Sequence, residues 1–122
     1  MARTSACVDI YASNNGTLAD AFRFGTLGDT SWDFDNKTFE MEVKASRDDV
    51  TALLELTSAA GEIVVDDTVE RVLHLNVTPT ALQAALPPAE YVYDLLMTDT
   101  ITSVVTPLMQ GKLYIRQGVT EV

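Results

Sequence analysis

The chain has a single cysteine, Cys7, among 122 residues, so no internal disulfide can staple it and its fold must hold by packing. That usage predicts folding in a reducing cytoplasm. Basic residues are scarce: 8 Lys and Arg stand against 18 Asp and Glu, a formal net charge of -10. Such a surface repels phosphate backbones and anionic membranes, and no run of Lys or Arg with interleaved aromatics offers a local exception. Neither nucleic acid nor a membrane is an expected partner. No apolar run approaches membrane-spanning length, and residues 1–11 carry Arg3 without the apolar core of a signal peptide, which predicts a chain made without export. The sequons at Asn15, Asn36 and Asn76 carry no weight without a secretory route. No internal repeat, low-complexity tract or composition break marks a linker.

Apolar residues make up 47% of the chain, too many for a disordered acidic tail, and the length suits one domain with one core. The most informative stretch is Leu86-Pro-Pro-Ala-Glu-Tyr-Val-Tyr-Asp-Leu95. Two prolines cannot donate ladder hydrogen bonds, so they stop what precedes them, and Tyr91, Tyr93 and Leu95 then share one side of an extended chain. A Tyr two positions before the central buried residue of such a strand matches the tyrosine corner of immunoglobulin-like sandwiches.

Strand patterns recur on both sides of the corner. Phe39 to Lys44 alternates apolar and polar, the period-two signature of a half-buried strand. Val50 to Leu56 is a second apolar run; Ser58 to Gly61 supplies a turn before Glu62 to Val65; Asp66-Asp67 makes a turn before Val69 to Val77, where Leu73, Leu75 and Val77 face one way. Thr78 or Thr80 can cap a short helix with Pro79 in its first turn, and Leu82 and Leu86 share its face. Tyr91 to Met97, Ile101 to Val105 and Met109 to Arg116 complete the series, the last pair expected as a hairpin at a sheet edge. Near the start, Cys7 to Tyr11 and Ala19 to Gly25 read as strands separated by Ser13-Asn14-Asn15-Gly16, a strong hairpin signal. The expected architecture is an all-β, immunoglobulin-like antiparallel β-sandwich over residues 25–122, with one short helix between two strands and residues 1–24 as an extended arm or first hairpin.

Candidate chemical sites are few. Asp29, Asp33 and Asp35 cluster near Trp32 and Phe34, but their spacing lacks the central Gly and distal Glu of an EF-hand, so a solvated acidic loop is the better reading and no metal is expected. Asp48-Asp49 and Asp66-Asp67 read as turn formers. His74 is the only histidine and sits on the polar face of its strand without a nucleophile motif, while Cys7 reads as a small buried hydrophobe. No catalytic residue and no cofactor is expected. Trp32 and Phe34 either pack on the core or mark a protein contact, where aromatics are enriched, and with Ile10 and Tyr11 they form the candidate protein interface.

Four segments carry a resemblance: Gly28-Asp-Thr30 leading to Asp33-Phe-Asp-Asn-Lys-Thr-Phe-Glu-Met-Glu-Val43; Leu53-Leu-Glu-Leu-Thr-Ser-Ala-Ala-Gly-Glu-Ile-Val-Val65; residues 86–95; and Gln110-Gly-Lys-Leu-Tyr-Ile115. Together they resemble small structural proteins from the late gene clusters of tailed bacteriophages, whose members are similar to the immunoglobulin-like N-terminal domain of phage baseplate upper proteins. Those proteins usually carry Gly before the corner tyrosine, where this chain has Ala89-Glu90; residues 1–24 have no counterpart. The resemblance implies a non-enzymatic virion component that docks by protein-protein contact at the tail or baseplate, seating a fibre. Its implied partners are other virion proteins (tail, baseplate, fibre or major capsid protein), in multiple copies of a symmetric assembly. The alternatives are a capsid decoration or cement protein, and a calcium- or carbohydrate-binding adhesion module using Trp32.

Overall fold

The computed structural model describes residues 6–24, 33–68 and 70–119. Among them the chain forms β1 (Ala6–Cys7), β2 (Ile10–Ser13), β3 (Ala21–Arg23), β4 (Lys37–Lys44), β5 (Leu54–Thr57), β6 (Ile63–Asp67), β7 (Val72–Leu75), α1 (Pro79–Ala85), β8 (Ala89–Asp99) and β9 (Val105–Arg116). The larger sheet runs β1-β9-β8-β4-β5 with β2 also on β9; the smaller runs β3-β7-β6. This division puts β4, β8 and β9 where strands C, F and G of an immunoglobulin-like sandwich lie, and β3, β7 and β6 where B, E and D lie. The expected all-β sandwich with one short helix is the observed fold.

Alternation makes the core. Phe39, Met41 and Val43 of β4, Tyr91 to Met97 at every second residue of β8, and Leu113 and Ile115 of β9 turn inward against Ile63, Leu73 and Leu75 of the small sheet. Each fully buried aliphatic side chain contributes ~2 kcal/mol. Phe34 closes one end, packing edge-on against Phe39 at 4.8 Å between ring centroids and tilted against Phe24 at 6.0 Å. At the other end, Leu82 of α1 and Leu86 after it are fully buried. Thr78 Oγ1 accepts from the Ala81 N–H at 3.2 Å, Pro79 occupies the first turn, and the Leu86 N–H donates to the Leu82 carbonyl at 2.8 Å before Pro87-Pro88 ends the helix.

The tyrosine corner forms as expected: the Tyr91 hydroxyl donates to the Pro87 carbonyl. No glycine is needed, because Ala89 and Glu90 are already extended and paired with Ile115 and Tyr114. A second clasp ties β3 to β7. Buried Arg71, in the left-handed region at φ 59°, donates from Nε to the Phe24 carbonyl at 2.8 Å, while the Phe24 N–H donates to the Arg71 carbonyl at 3.0 Å.

Several expectations need correction. The segments flanking Asn15-Gly16 do not form a hairpin: β2 pairs in parallel with β9 of the large sheet, whereas β3 pairs with β7 of the small one. The Asn-Gly turn therefore links two layers. The described residues before Gly25 are built into both sheets and do not project as an arm. Because β1 and β2 cover β9, the β8-β9 hairpin is interior to its sheet. Val50 is 97% exposed ahead of β5, and Ile101 and Val104 lie in the exposed β8-β9 turn. β9 instead runs through Pro107, which is tolerated beside the bulge at Leu95/Leu96. Asp66 and Asp67 end β6; Asp67 Oδ1 still accepts from the Glu70 N–H at 2.9 Å, the turn-forming role expected of it.

Candidate docking surface

The outward face of the large sheet is assembled by a strap, residues 6–14, laid along β9. The Val8 N–H donates to the Gln110 carbonyl at 2.8 Å, after which the chain kinks inward so that the Val8 carbonyl accepts from the buried Tyr93 hydroxyl. Gly111, paired with Tyr93 in the inward row, makes the kink possible: a Cβ there would stand 2.1 Å from the Val8 oxygen. Burial, and secondarily Asp9 and Cys7, push the Tyr93 phenol up, which keeps it a donor. Asp9 Oδ1 then accepts from the Lys112 N–H at 3.1 Å. Asn14 fastens the far end, donating from its backbone N–H to Arg116 at 3.1 Å and accepting at Oδ1 from the Gly118 N–H at 2.9 Å.

The strap buries Ile10 and presents Tyr11. Ile10 is 1% exposed and belongs to the core, so it offers nothing to a partner; the same correction holds for Phe34 at 2%, enclosed by Phe24 and Phe39. Trp32 and Asp29 lie outside the described residues. Tyr11 is 70% exposed and stacks on Tyr114 with centroids 4.7 Å apart and planes 9° from parallel. Of the four candidate interface residues, it is the one the described structure places on the surface.

Beside the tyrosine pair the outer face is a grid of charges in register. Glu90 follows Tyr114 across the sheet and accepts from Lys112 Nζ at 2.7 Å, holding the ammonium above its ordinary value; burial and Glu90 push the Tyr114 phenol up. Val92 lies between Lys112 and Lys44, and Asp94 between Gln110 and Glu42. Desolvation and then the charge of Glu42 raise the Asp94 carboxyl, with Lys44 and Arg47 opposing. Glu42, Lys44, Arg47, Val92 and Asp94 line a shallow depression.

The β8-β9 turn is held by Asp99, whose Oδ1 accepts from the N–H groups of Ile101 at 2.8 Å and Thr102 at 3.1 Å and whose other oxygen meets Lys37 at 3.2 Å. Those bonds lower its carboxyl.

The remaining candidates are scattered. Cys7 is exposed on the strap, a correction to its expected burial, because β1 lies at the sheet margin. His74 lies on the small sheet, with Nδ1 2.7 Å from Asp66 Oδ1. Asp33 serves its own turn, accepting from the Asp35 N–H at 3.0 Å. Among the described residues no three His, Cys, Asp or Glu side chains group in a way that could hold a metal ion. Alternation marked Glu40, Glu42 and Lys44 as solvent-facing, but which charges stand beside them depends on cross-strand register, which one strand's sequence does not carry. No protein-family model and no curated protein matches the sequence.

Proposed function

We propose that this protein is a non-enzymatic structural component of a tailed-bacteriophage virion, docking onto neighbouring proteins at the tail or baseplate, where it seats a fibre. One observation carries the reading: the described parts of the four resemblance-bearing segments become β4, β5-turn-β6, the tyrosine corner with β8, and β9 of one immunoglobulin-like sandwich. The exposed Tyr11–Tyr114 stack supports a binding role, since aromatics anchor protein interfaces. Many copies in a symmetric particle would multiply contacts that are individually weak. Mass spectrometry of purified particles, followed by a map of the intact virion, tests this. Density at the tail or baseplate is the expected result. Density on the head lattice would replace the assignment by a capsid decoration role, and absence from particles would overturn both.

A further inference from the structure

The edges of the two sheets are not equally protected. A strand edge exposes unpaired N–H and C=O groups, and proteins usually blunt it with bulges, bends or charges. β1 and β2 are separated by the kink at Val8, where Asp9 bends back onto the Lys112 N–H. β5 is closed at Thr57, whose N–H donates to Glu62 Oε1 at 3.4 Å, and β6 carries a bulge between Val65 and Asp67. β3 has no such device. On one side it is tied to β7 by the reciprocal Leu18–Val77 bonds at 2.9 and 3.0 Å, by the Leu75 N–H on the Asp20 carbonyl and by the Phe24 N–H on the Arg71 carbonyl. Those bonds use Leu18, Asp20 and Phe24, so the backbone groups of Ala19, Ala21 and Arg23 point away from β7. In an immunoglobulin-like sandwich the corresponding sheet holds strands A, B, E and D. Here β3, β7 and β6 take the places of B, E and D, the first strands lie on β9 instead, and no described strand pairs with β3 on its outer side. The core shows the opening. Leu18 and Phe24 are buried, and Phe22 between them pairs with fully buried Leu73, yet Phe22 itself is only half-buried.

We propose that β3 receives an extended segment of a partner protein, added antiparallel as the fourth strand of the small sheet and carrying alternate apolar and basic side chains. Ala19, Ala21 and Arg23 each exchange a pair of backbone hydrogen bonds with that segment, which supplies affinity, while its side chains supply the choice of partner. Residues of the segment that turn inward cover Phe22 and are therefore apolar. The charge of the others follows from the surroundings: exposed Asp20 stands at the start of the edge, Arg23 is already held by Glu70 at 2.6 Å, and the whole chain carries -10. A second copy of this chain would bring two strongly acidic proteins together, whereas a basic segment is drawn to the edge. Ala19 and Ala21 are small and exposed, so no side chain shields the backbone groups between Asp20 and Arg23. The edge runs about 24 Å over residues 18–24, which makes a single contact weak and suits a partner engaged at several points. This inference goes beyond the virion reading: it concerns an edge of the chain itself, and its test needs no particle.

Nuclear magnetic resonance titration of the full-length protein with a synthetic peptide of alternating valine and lysine, capped at both ends, tests the proposal. In the free protein the amides of Ala19, Ala21 and Arg23 should exchange with solvent faster than those of Leu18 and Phe24. The peptide should slow that exchange and shift signals over residues 18–24, with a Kd of about 100 μM that weakens as salt is raised. A valine–glutamate peptide should bind about tenfold more weakly or worse, and Asp20→Lys should narrow or reverse the preference. Ala21→Pro should leave the melting temperature nearly unchanged, because that N–H points to solvent, and should abolish binding. If Ala21→Pro does not fold, the Asp20→Lys reversal decides alone. Edge amides already protected in the free monomer overturn the proposal, as do shifts centred elsewhere, equal binding of the acidic peptide, or no binding of the basic one at about 2 mM. Protection that appears only when the protein self-associates would assign the edge to a second copy and overturns it too.

Discussion

The two sides of β8 divide the work of one strand. Inward, Tyr91, Tyr93, Leu95 and Met97 are buried, and both tyrosine hydroxyls find carbonyl acceptors. Outward, Glu90, Val92, Asp94 and Leu96 alternate with them, and Asp94 is set directly against Glu42. Every polar group named on the inner side is satisfied within the chain, whereas the outer side keeps a repulsion that a single substitution would relieve. Period-two geometry is what lets these demands coexist, because adjacent residues never share a face.

The comparison can be broken most severely on the inner side. Deleting residues 1–12 should cost about 4 kcal/mol or more and abolish cooperative thermal unfolding, because it removes Ile10 from the core and uncovers β9. A truncated protein that melts like the full chain would mean the strap is dispensable, as a free arm would be. Gly111→Ala should cost about 3 kcal/mol in chemical denaturation, since the new methyl meets backbone at Val8 that cannot swing away. Tyr93→Phe should cost about 1.5 kcal/mol by leaving the Val8 carbonyl without its donor, and hydrogen exchange should quicken over residues 8–13 first.

The smallest effect has the opposite sign and lies outside. The folded state holds the Asp94 carboxyl above its ordinary value, so its charged form is the disfavoured one, and wild type carries a penalty at any pH where that carboxyl is ionised. Asp94→Asn should therefore raise stability by ~0.5 kcal/mol at neutral pH. The gain should fade as pH drops through the raised value and vanish below 3.8, where folded and unfolded wild type are both neutral. A loss of stability at pH 7 would show that the outer row is not under repulsion.

Local signals were readable where the cause is local. The Pro87-Pro88 stop, the corner at Tyr91, the Thr78 cap and the alternation of β4 all follow from neighbours a few residues away, and all appear in the structure. What escaped the sequence depends on partners some fifty to a hundred residues apart. Asn15-Gly16 makes a turn as its chemistry requires, yet whether its two flanks pair with each other is decided by β9 and β7. Gly111 reads as an ordinary interruption of a strand until Val8 is seen crossing it. Val50 and Ile101 counted toward strands by hydrophobicity alone, although neither has a partner strand to lie against. The docking face was hidden for the same reason: Glu42 and Asp94 become neighbours only through register.

The parallel run of β2 beside β9 has a mechanical consequence. Ser13 pairs with Arg116 and Ala6 with Met109, so the chain enters along one direction and leaves along the same one. Tension applied through the segments preceding Ala6 and following Arg116 would pull these strands past each other lengthwise. Their hydrogen bonds would share the load and yield together instead of peeling one by one, which suits a domain that transmits force without extending.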